Sequence, residues 1–166
     1  MSQQKFVDLM QQTYDFPSKG FDIKKNNTLT FHGLDLMKLV KKYGSPLKIT
    51  YLPRVQQQIE QAQEYFAKAM HKQKYHGKYF YTYCTKSSHF SFIINKAIAS
   101  GAQLEISSAY DILLIRKLFT DKKITKDIMI ICNGYKSDLY LENIVNLWKD
   151  GFKNIIVVLD NEKELG

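Results

Sequence analysis

Lys86 follows the run Tyr79-Phe80-Tyr81-Thr82-Tyr83-Cys84-Thr85 and is itself followed by Ser87-Ser88-His89. Tyr, Phe and Thr favour a pleated, partly buried surface, so the run reads as a strand, with Tyr79, Tyr81 and Tyr83 on one face by period-two alternation. The ammonium then falls at the strand's carboxyl end. A neutral lysine amine in that place can form an imine with a carbonyl cofactor. Ser87 and Ser88 are expected to cap the next helix, whose free N–H groups can help to hold an anion such as a phosphate. Taken alone, a lysine at a strand end is a solvated surface charge, and the neighbouring elements must decide between the two readings.

Those elements alternate. The pattern predicts helix 53–72, strand 79–84, helix 88–100, strand 103–107, helix 109–120, strand 127–132, helix 138–150 and strand 154–159. Strands separated by helices of this length imply parallel βαβ crossovers, since parallel neighbours cannot be joined by tight hairpins. The loops leaving the strands then converge on one face, where α/β proteins bind ligands. The apolar runs Ile128-Met129-Ile130-Ile131 and Ile155-Ile156-Val157-Val158-Leu159 suggest a sheet covered on both faces. Gly101 and Gly151 stand just past helices, the usual place for a left-handed residue. Asp160-Asn161-Glu162-Lys163-Glu164-Leu165 reads as the capped opening of another helix, so the expectation is a longer (β/α) protein cut in mid-architecture.

The first 50 residues read as a separate α+β segment. Thr28–Phe31 is expected as a short strand, about Leu34–Tyr43 as a helix and Pro46–Tyr51 as another strand, after the turn signal Gly44-Ser45-Pro46. The stretch before Thr28, including Asp15-Phe16-Pro17-Ser18-Lys19-Gly20 and Lys24-Lys25-Asn26-Asn27, looks loop-rich. The expected division is an N-terminal α+β segment over 1–51 and the β/α part over 52–166.

A chain of 166 residues can form one ordinary domain with a sizeable core. No apolar run approaches the roughly 20 residues that span a bilayer, and Met1-Ser2-Gln3-Gln4-Lys5 lacks a signal-peptide apolar core, so a cytoplasmic protein is expected. Cys84 and Cys132 lie in apolar runs, as buried free thiols do. The net charge of +8 admits an anionic partner, yet the lysines are spread through helices and turns without an Arg-rich block, which favours a solvated face over nucleic-acid binding.

Three strand-end segments should meet on one face: Cys84-Thr85-Lys86-Ser87-Ser88, Leu104-Glu105-Ile106-Ser107-Ser108-Ala109-Tyr110-Asp111 and Cys132-Asn133-Gly134-Tyr135-Lys136. With Tyr43-Gly44-Ser45-Pro46-Leu47 upstream and Val158-Leu159-Asp160-Asn161-Glu162 downstream, they resemble the pyridoxal-phosphate decarboxylases of the alanine-racemase-like barrel fold. The likeness covers roughly 28–166 and is closest to the biosynthetic arginine decarboxylase family. Its most specific piece is Ile131-Cys132-Asn133-Gly134-Tyr135-Lys136 followed by Tyr140, whereas the Tyr-Gly-Ser-Pro-Leu piece is shared with diaminopimelate decarboxylases.

The resemblance implies the first half of a (β/α)8, TIM-like barrel, pyridoxal 5′-phosphate as cofactor, and conversion of arginine to agmatine and carbon dioxide in polyamine synthesis. Lys86 matches the lysine that holds the cofactor. Glu105 matches the acidic residue near the end of the second strand, and Asp111 falls where an acidic residue opens the next helix. Ser107 and Ser108 are either helix caps or cofactor-face residues. The chain departs from many relatives at Ser88, where they have Asn, and at Glu105, where they have Asp. The glycine-rich phosphate loop and the substrate-selecting residues would lie beyond Gly166, so the chain is expected to be inactive alone. A small amino-acid substrate and a homo-oligomer are implied; no metal, membrane or nucleic-acid partner is expected.

For the remaining residues the structural readings lead. His89 is expected as a helix-surface histidine, Tyr81 and Tyr83 as barrel-interior packing, Asn133 and Gly134 as a turn at the ligand face, and Asp160 as a helix cap. Two competing functions stand beside the decarboxylase: a module that binds pyridoxal phosphate or a decarboxylase subunit without catalysis, and an anion- or nucleic-acid-binding domain. Another basic-amino-acid decarboxylase, such as one acting on diaminopimelate, is a variant of the first reading.

Overall fold

The apolar runs of the second part pair in sequence order. In the computed structural model, which describes residues 19–165, the chain divides into two compact units, one up to Thr50 and one from Tyr51 onward. The stretches Met1–Lys5 and Asp15–Ser18 lie outside the described residues.

The first unit contains a three-stranded antiparallel sheet, β1 (Phe21–Ile23), β2 (Leu29–Phe31) and β3 (Leu34–Asp35), followed by helix α1 (Leu36–Tyr43). The Lys24–Asn27 stretch is the hairpin turn between β1 and β2, with Asn27 N–H donating to Lys24 O. A strand therefore occupies part of the region expected to be loop. Asp35 caps α1 by accepting from Lys38 N at 3.0 Å, which starts the helix two residues later than its periodicity suggests. Gly44 ends it, its N–H reaching Val40 O at φ +87°, a conformation that disfavours any residue with a Cβ. Pro46–Tyr51, expected as a strand, carries no strand structure; its β-type residues have no neighbouring ladder to join.

The second unit runs α2 (Leu52–Lys72), β4 (Thr82–Cys84), α3 (Ser91–Ala99), β5 (Gln103–Ile106), α4 (Asp111–Thr120), β6 (Ile130–Cys132), α5 (Asp138–Lys149) and β7 (Ile155–Val157). The sheet is parallel with order β4-β5-β6-β7. Consecutive order matters, because right-handed crossovers between sequential neighbours put every connecting helix on the same face. The register makes this visible. Tyr83, Leu104, Ile130 and Ile155 lie in one row and pack with Ile94, Ile112, Ile115, Leu118, Tyr140, Ile144 and Leu147 of the helices. Cys84, Glu105, Ile131 and Ile156 form the opposite row, and Ile156 is 46% exposed. The expectation of a sheet covered on both faces is thus corrected: among the described residues, one face is packed and one is open.

The same register corrects the placement of the tyrosines. Tyr81 and Tyr83 pack on the helix side, against Ile59, Ala97 and Ala102, and the Tyr79 ring stacks on Phe66 of α2 at 4.1 Å. The shared face was read correctly, but it is not the open one. Gly101 and Gly151 have positive φ, as expected past helix ends. After β7 the chain forms a 3-10 turn over Glu162–Leu165. Among the described residues, no helix is long and apolar enough to cross a membrane.

Candidate functional site

Parallel strands bring their carboxyl ends together, so the segments after β4, β5, β6 and β7 share one edge of the sheet. Lys86 is exposed there, in a 3-10 turn spanning Thr85–Ser87 directly after β4. Two residues back, Cys84 sits in register with Glu105 on the open face. Glu105 is half-buried and accepts from Asn133 Nδ2 at 3.1 Å. Burial, followed by the bond to Glu105, pushes the Cys84 thiol up, so it stays protonated at neutral pH. The open face below Lys86 therefore carries a thiol and a carboxylate, and the Asn133 amide at the strand end holds the carboxylate.

Gly134 lets the second and third loops approach each other. Its φ is +73°, and a Cβ added there would meet Ser107 O at 3.1 Å. Alanine would combine the left-handed penalty with a tight contact against backbone. Asn133 Oδ1 accepts from Gly134 N at 2.8 Å, and Asn133 N donates to Ile106 O at 2.8 Å. The Asn-Gly turn falls at this edge, as its composition suggests.

The serines do something different from capping. The N-cap of α3 is Phe90, with no side-chain cap bond; Ser88 Oγ accepts from Phe90 N at 3.4 Å, while Ser88 O accepts from the Tyr83 hydroxyl at 3.1 Å. At the start of α4 the roles are reversed, because the acid of the first turn reaches back to the loop. Asp111 Oδ2 accepts from Ser107 N and from Ser108 Oγ, each at 3.0 Å. Its Oδ1 accepts from Thr85 Oγ1 at 3.3 Å and lies 2.8 Å from His89 Nε2. Asp111 is only 4% exposed. His89 is not on a helix: it lies between the Lys86 turn and α3, with its ring more than half exposed and its Nε2 on Asp111.

This carboxylate gathers the sequence-derived residues in a way their spacing did not reveal. Burial alone would raise the Asp111 carboxyl, but the Ser107 N–H, His89 and Ser108 together bring it below its usual value. Its folded value is thus depressed relative to the unfolded one, which is about 3.9. Stability from this group is present above the unfolded value and lost as pH falls through the folded one. The expected result is that Asp111→Asn flattens the acid limb of a stability-against-pH curve; an unchanged limb in denaturant titrations would remove Asp111 from that role.

Lys136 is the other residue whose placement differs from its appearance in sequence. Its side chain is fully buried, and the ammonium donates to Gly134 O and Val158 O and pairs with Glu164 Oε2 at 3.6 Å. Glu164 also accepts from Asp160 N at 2.9 Å and Lys136 N at 3.1 Å, and these N–H groups hold its carboxyl below the usual range. The group ties the loop after β6 to the segment after β7. Cys132 and Tyr140, both within or beside the most specific motif, are core residues. Burial pushes the Cys132 thiol up to about 11 and raises the Tyr140 phenol as well, so neither ionises at neutral pH.

An exposed lysine at the first strand end, a carboxylate and an amide on the open face beside it, and a buried carboxylate behind the turn define a strand-end site of a parallel α/β protein. No family model matches the chain. It is 30% identical over 153 residues, 87% of its length, to a biosynthetic arginine decarboxylase of Prochlorococcus marinus (strain AS9601), of which it covers 22%. It is also 29% identical over 152 residues to arginine decarboxylase 1, chloroplastic, of Arabidopsis thaliana, with 84% of this chain and 21% of that relative covered. The chain thus spans about a fifth of the length of the curated relatives it matches.

Proposed function

We propose that the chain forms the lysine-bearing part of a pyridoxal-phosphate-dependent carboxy-lyase that converts arginine to agmatine and carbon dioxide. The observation that carries this reading is the place of Lys86. It is an exposed lysine at the carboxyl end of β4, two residues past Cys84, which pairs with Glu105 on the open face of the sheet, in a chain similar over most of its length to proteins named arginine decarboxylase. The barrel reading is supported by the consecutive parallel order and by helices on one face alone.

The donor set fits the cofactor. A primary amine is available for its aldehyde, and a carboxylate fixed by an amide stands alongside for polar groups of the ring or substrate. A Cβ at Gly134 would meet Ser107 O at 3.1 Å, so glycine is what lets the second and third loops come this close. When bound, pyridoxal phosphate supplies the electron sink for the pair left behind as carbon dioxide departs.

The protein's share is binding, orientation and proton handling. Lys86 would hold the cofactor through its amine, and its amine would also be placed to carry a proton to the substrate carbon or to assist release. Glu105 is oriented by Asn133, and Cys84 contributes a neutral thiol beside it. Ser108 has its hydroxyl proton engaged by Asp111, so toward a ligand it offers lone pairs only. Ser107 keeps its hydroxyl for the cofactor face.

The same reading carries a cytoplasmic location and self-association. The exposed Ile156, Val157, Val158 and Leu159 at one side of the sheet support the latter, because apolar strand edges invite pairing. Spanning about a fifth of the relatives' length, the chain is expected to release no carbon dioxide from arginine by itself when supplied with pyridoxal phosphate. Measurable release by the purified chain would reject that part. The reading as a whole is tested by borohydride reduction in the presence of pyridoxal phosphate and peptide mapping, with the label expected on Lys86.

A further inference from the structure

We propose that Asp111 is the positioning residue of the lysine site: one buried carboxylate that fixes the turn carrying Lys86 and the loop carrying Ser107 and Ser108 relative to each other. The inference rests on the reading of Lys86 as the cofactor-holding amine. Its geometric half, the clamp itself, stands on contacts independent of that reading.

Lys86 is exposed, so its own side chain does not hold the turn in place. Its neighbours do. Thr85 is fully buried, and its one hydroxyl proton is shared between Glu105 O at 3.1 Å and Asp111 Oδ1 at 3.3 Å, so the turn faces β5 and α4 together. His89, three residues after the lysine, reaches the same Oδ1 at 2.8 Å. The other oxygen, Oδ2, takes Ser107 N and Ser108 Oγ. Each carboxylate oxygen thus serves a different loop, and Asp111 is the bridge between them.

A carboxylate suits this place because it accepts on both oxygens, whereas an amide accepts on one and donates on the other. Asparagine would therefore keep one loop and present an N–H₂ to the donors of the other. The volume is unchanged and α4 keeps its start, so the substitution separates bridging from mere occupancy. A lysine amine displaced by even a fraction of its reach loses productive alignment.

The test uses the chain with pyridoxal phosphate itself as the probe. The lysine amine condenses with the aldehyde, releasing water, and borohydride then delivers hydride to the resulting C=N carbon, leaving a stable secondary amine that peptide mapping locates. In Asp111→Asn the rate of labelling at Lys86 is expected to fall about tenfold relative to the other lysines of the same sample, and Asp111→Glu to recover part of it. Amide hydrogen exchange, measured without cofactor, is expected to quicken in both 85–89 and 107–111. Exchange that quickens only at the start of α4, or Lys86 labelling that keeps its ratio to the other lysines, overturns the proposal.

Two further outcomes are distinguishable. A parent chain unlabelled at Lys86 rejects the cofactor reading, and the exchange pattern then decides the clamp by itself. If Asp111→Asn does not fold, Thr85→Val and His89→Leu each remove one donor to Oδ1; both are expected to lower the Lys86 ratio without changing exchange at 107–108, and unchanged ratios in both overturn the proposal.

Discussion

Lys86→Ala is expected to abolish site-specific incorporation of pyridoxal phosphate, a loss of at least about a hundredfold at that peptide, because among the described side chains no other exposed lysine follows a strand of this sheet at its carboxyl edge. The nearest rival by position is Lys136, after β6. Its ammonium is fully buried and engaged by Gly134 O, Val158 O and Glu164, so reaching an aldehyde would require breaking that group apart. Lys96, on the helix after the Lys86 turn, donates to Gln56 Oε1 at 2.5 Å and points to the α2 side of the unit. The remaining exposed lysines are expected to label as isolated surface amines, slowly and without preference. The informative quantity is therefore the ratio of Lys86 label to total label, measured by peptide mapping at equal protein and cofactor. A specific label that survives in Lys86→Ala on another residue would move the site and remove the central claim.

The residues involved also show what a sequence can convey and what it cannot. Apolar runs such as Ile128–Ile131 and Ile155–Leu159 mark strands but not their cover: the first is buried or half-buried, while Ile156 to Leu159 of the second are exposed. The place of Lys86 at a strand end follows from the change of composition around it. Which face of the strand is packed does not: alternation groups Tyr79, Tyr81 and Tyr83, yet only the pairing register shows that their face meets the helices while Cys84 and Glu105 look the other way. Pro46–Tyr51 has strand-like residues without a partner strand, and Phe21–Ile23 is a strand because β2 lies beside it; both differences are tertiary.

Hydrogen-bond direction was hidden for a related reason. Ser-Ser before a helix reads as a cap, but at Ser107–Ser108 the acid four and three residues later is the acceptor. Ser, Asp and helix start are all in the sequence; which atom accepts is settled by the burial of Asp111 and by Thr85 and His89 arriving from another loop. Lys136 stands in the most specific motif, but its burial has no local signal: the side chain is held by Glu164 and Val158 O, more than twenty residues away in sequence.

Ile106→Ala is expected to lower stability by about 2–5 kcal/mol, the range for truncating a fully buried aliphatic side chain, as transfer and cavity contributions add. Ile106 has 0% exposure and lies in the main core cluster. Its strand is paired on both sides, with β4 and with β6, where Ile106 stands in register with Cys132. Such a loss is a large part of the roughly 5–15 kcal/mol that holds an ordinary domain together, so thermal unfolding should shift down by about 10 °C. Ile106→Val, which removes one methylene, should cost only about 0.5–1.5 kcal/mol. The side chain points to the helices, while its carbonyl accepts Asn133 N at 2.8 Å and its neighbours Glu105 and Ser107 belong to the candidate site. Below the new midpoint, then, the Lys86 labelling ratio should equal that of the parent. A loss under about 1 kcal/mol would mean that the packed face is not the stabilising one. A lost labelling ratio in a folded variant would mean that the core and the lysine edge are coupled through β5, and the assignment of the two faces to separate tasks would fail.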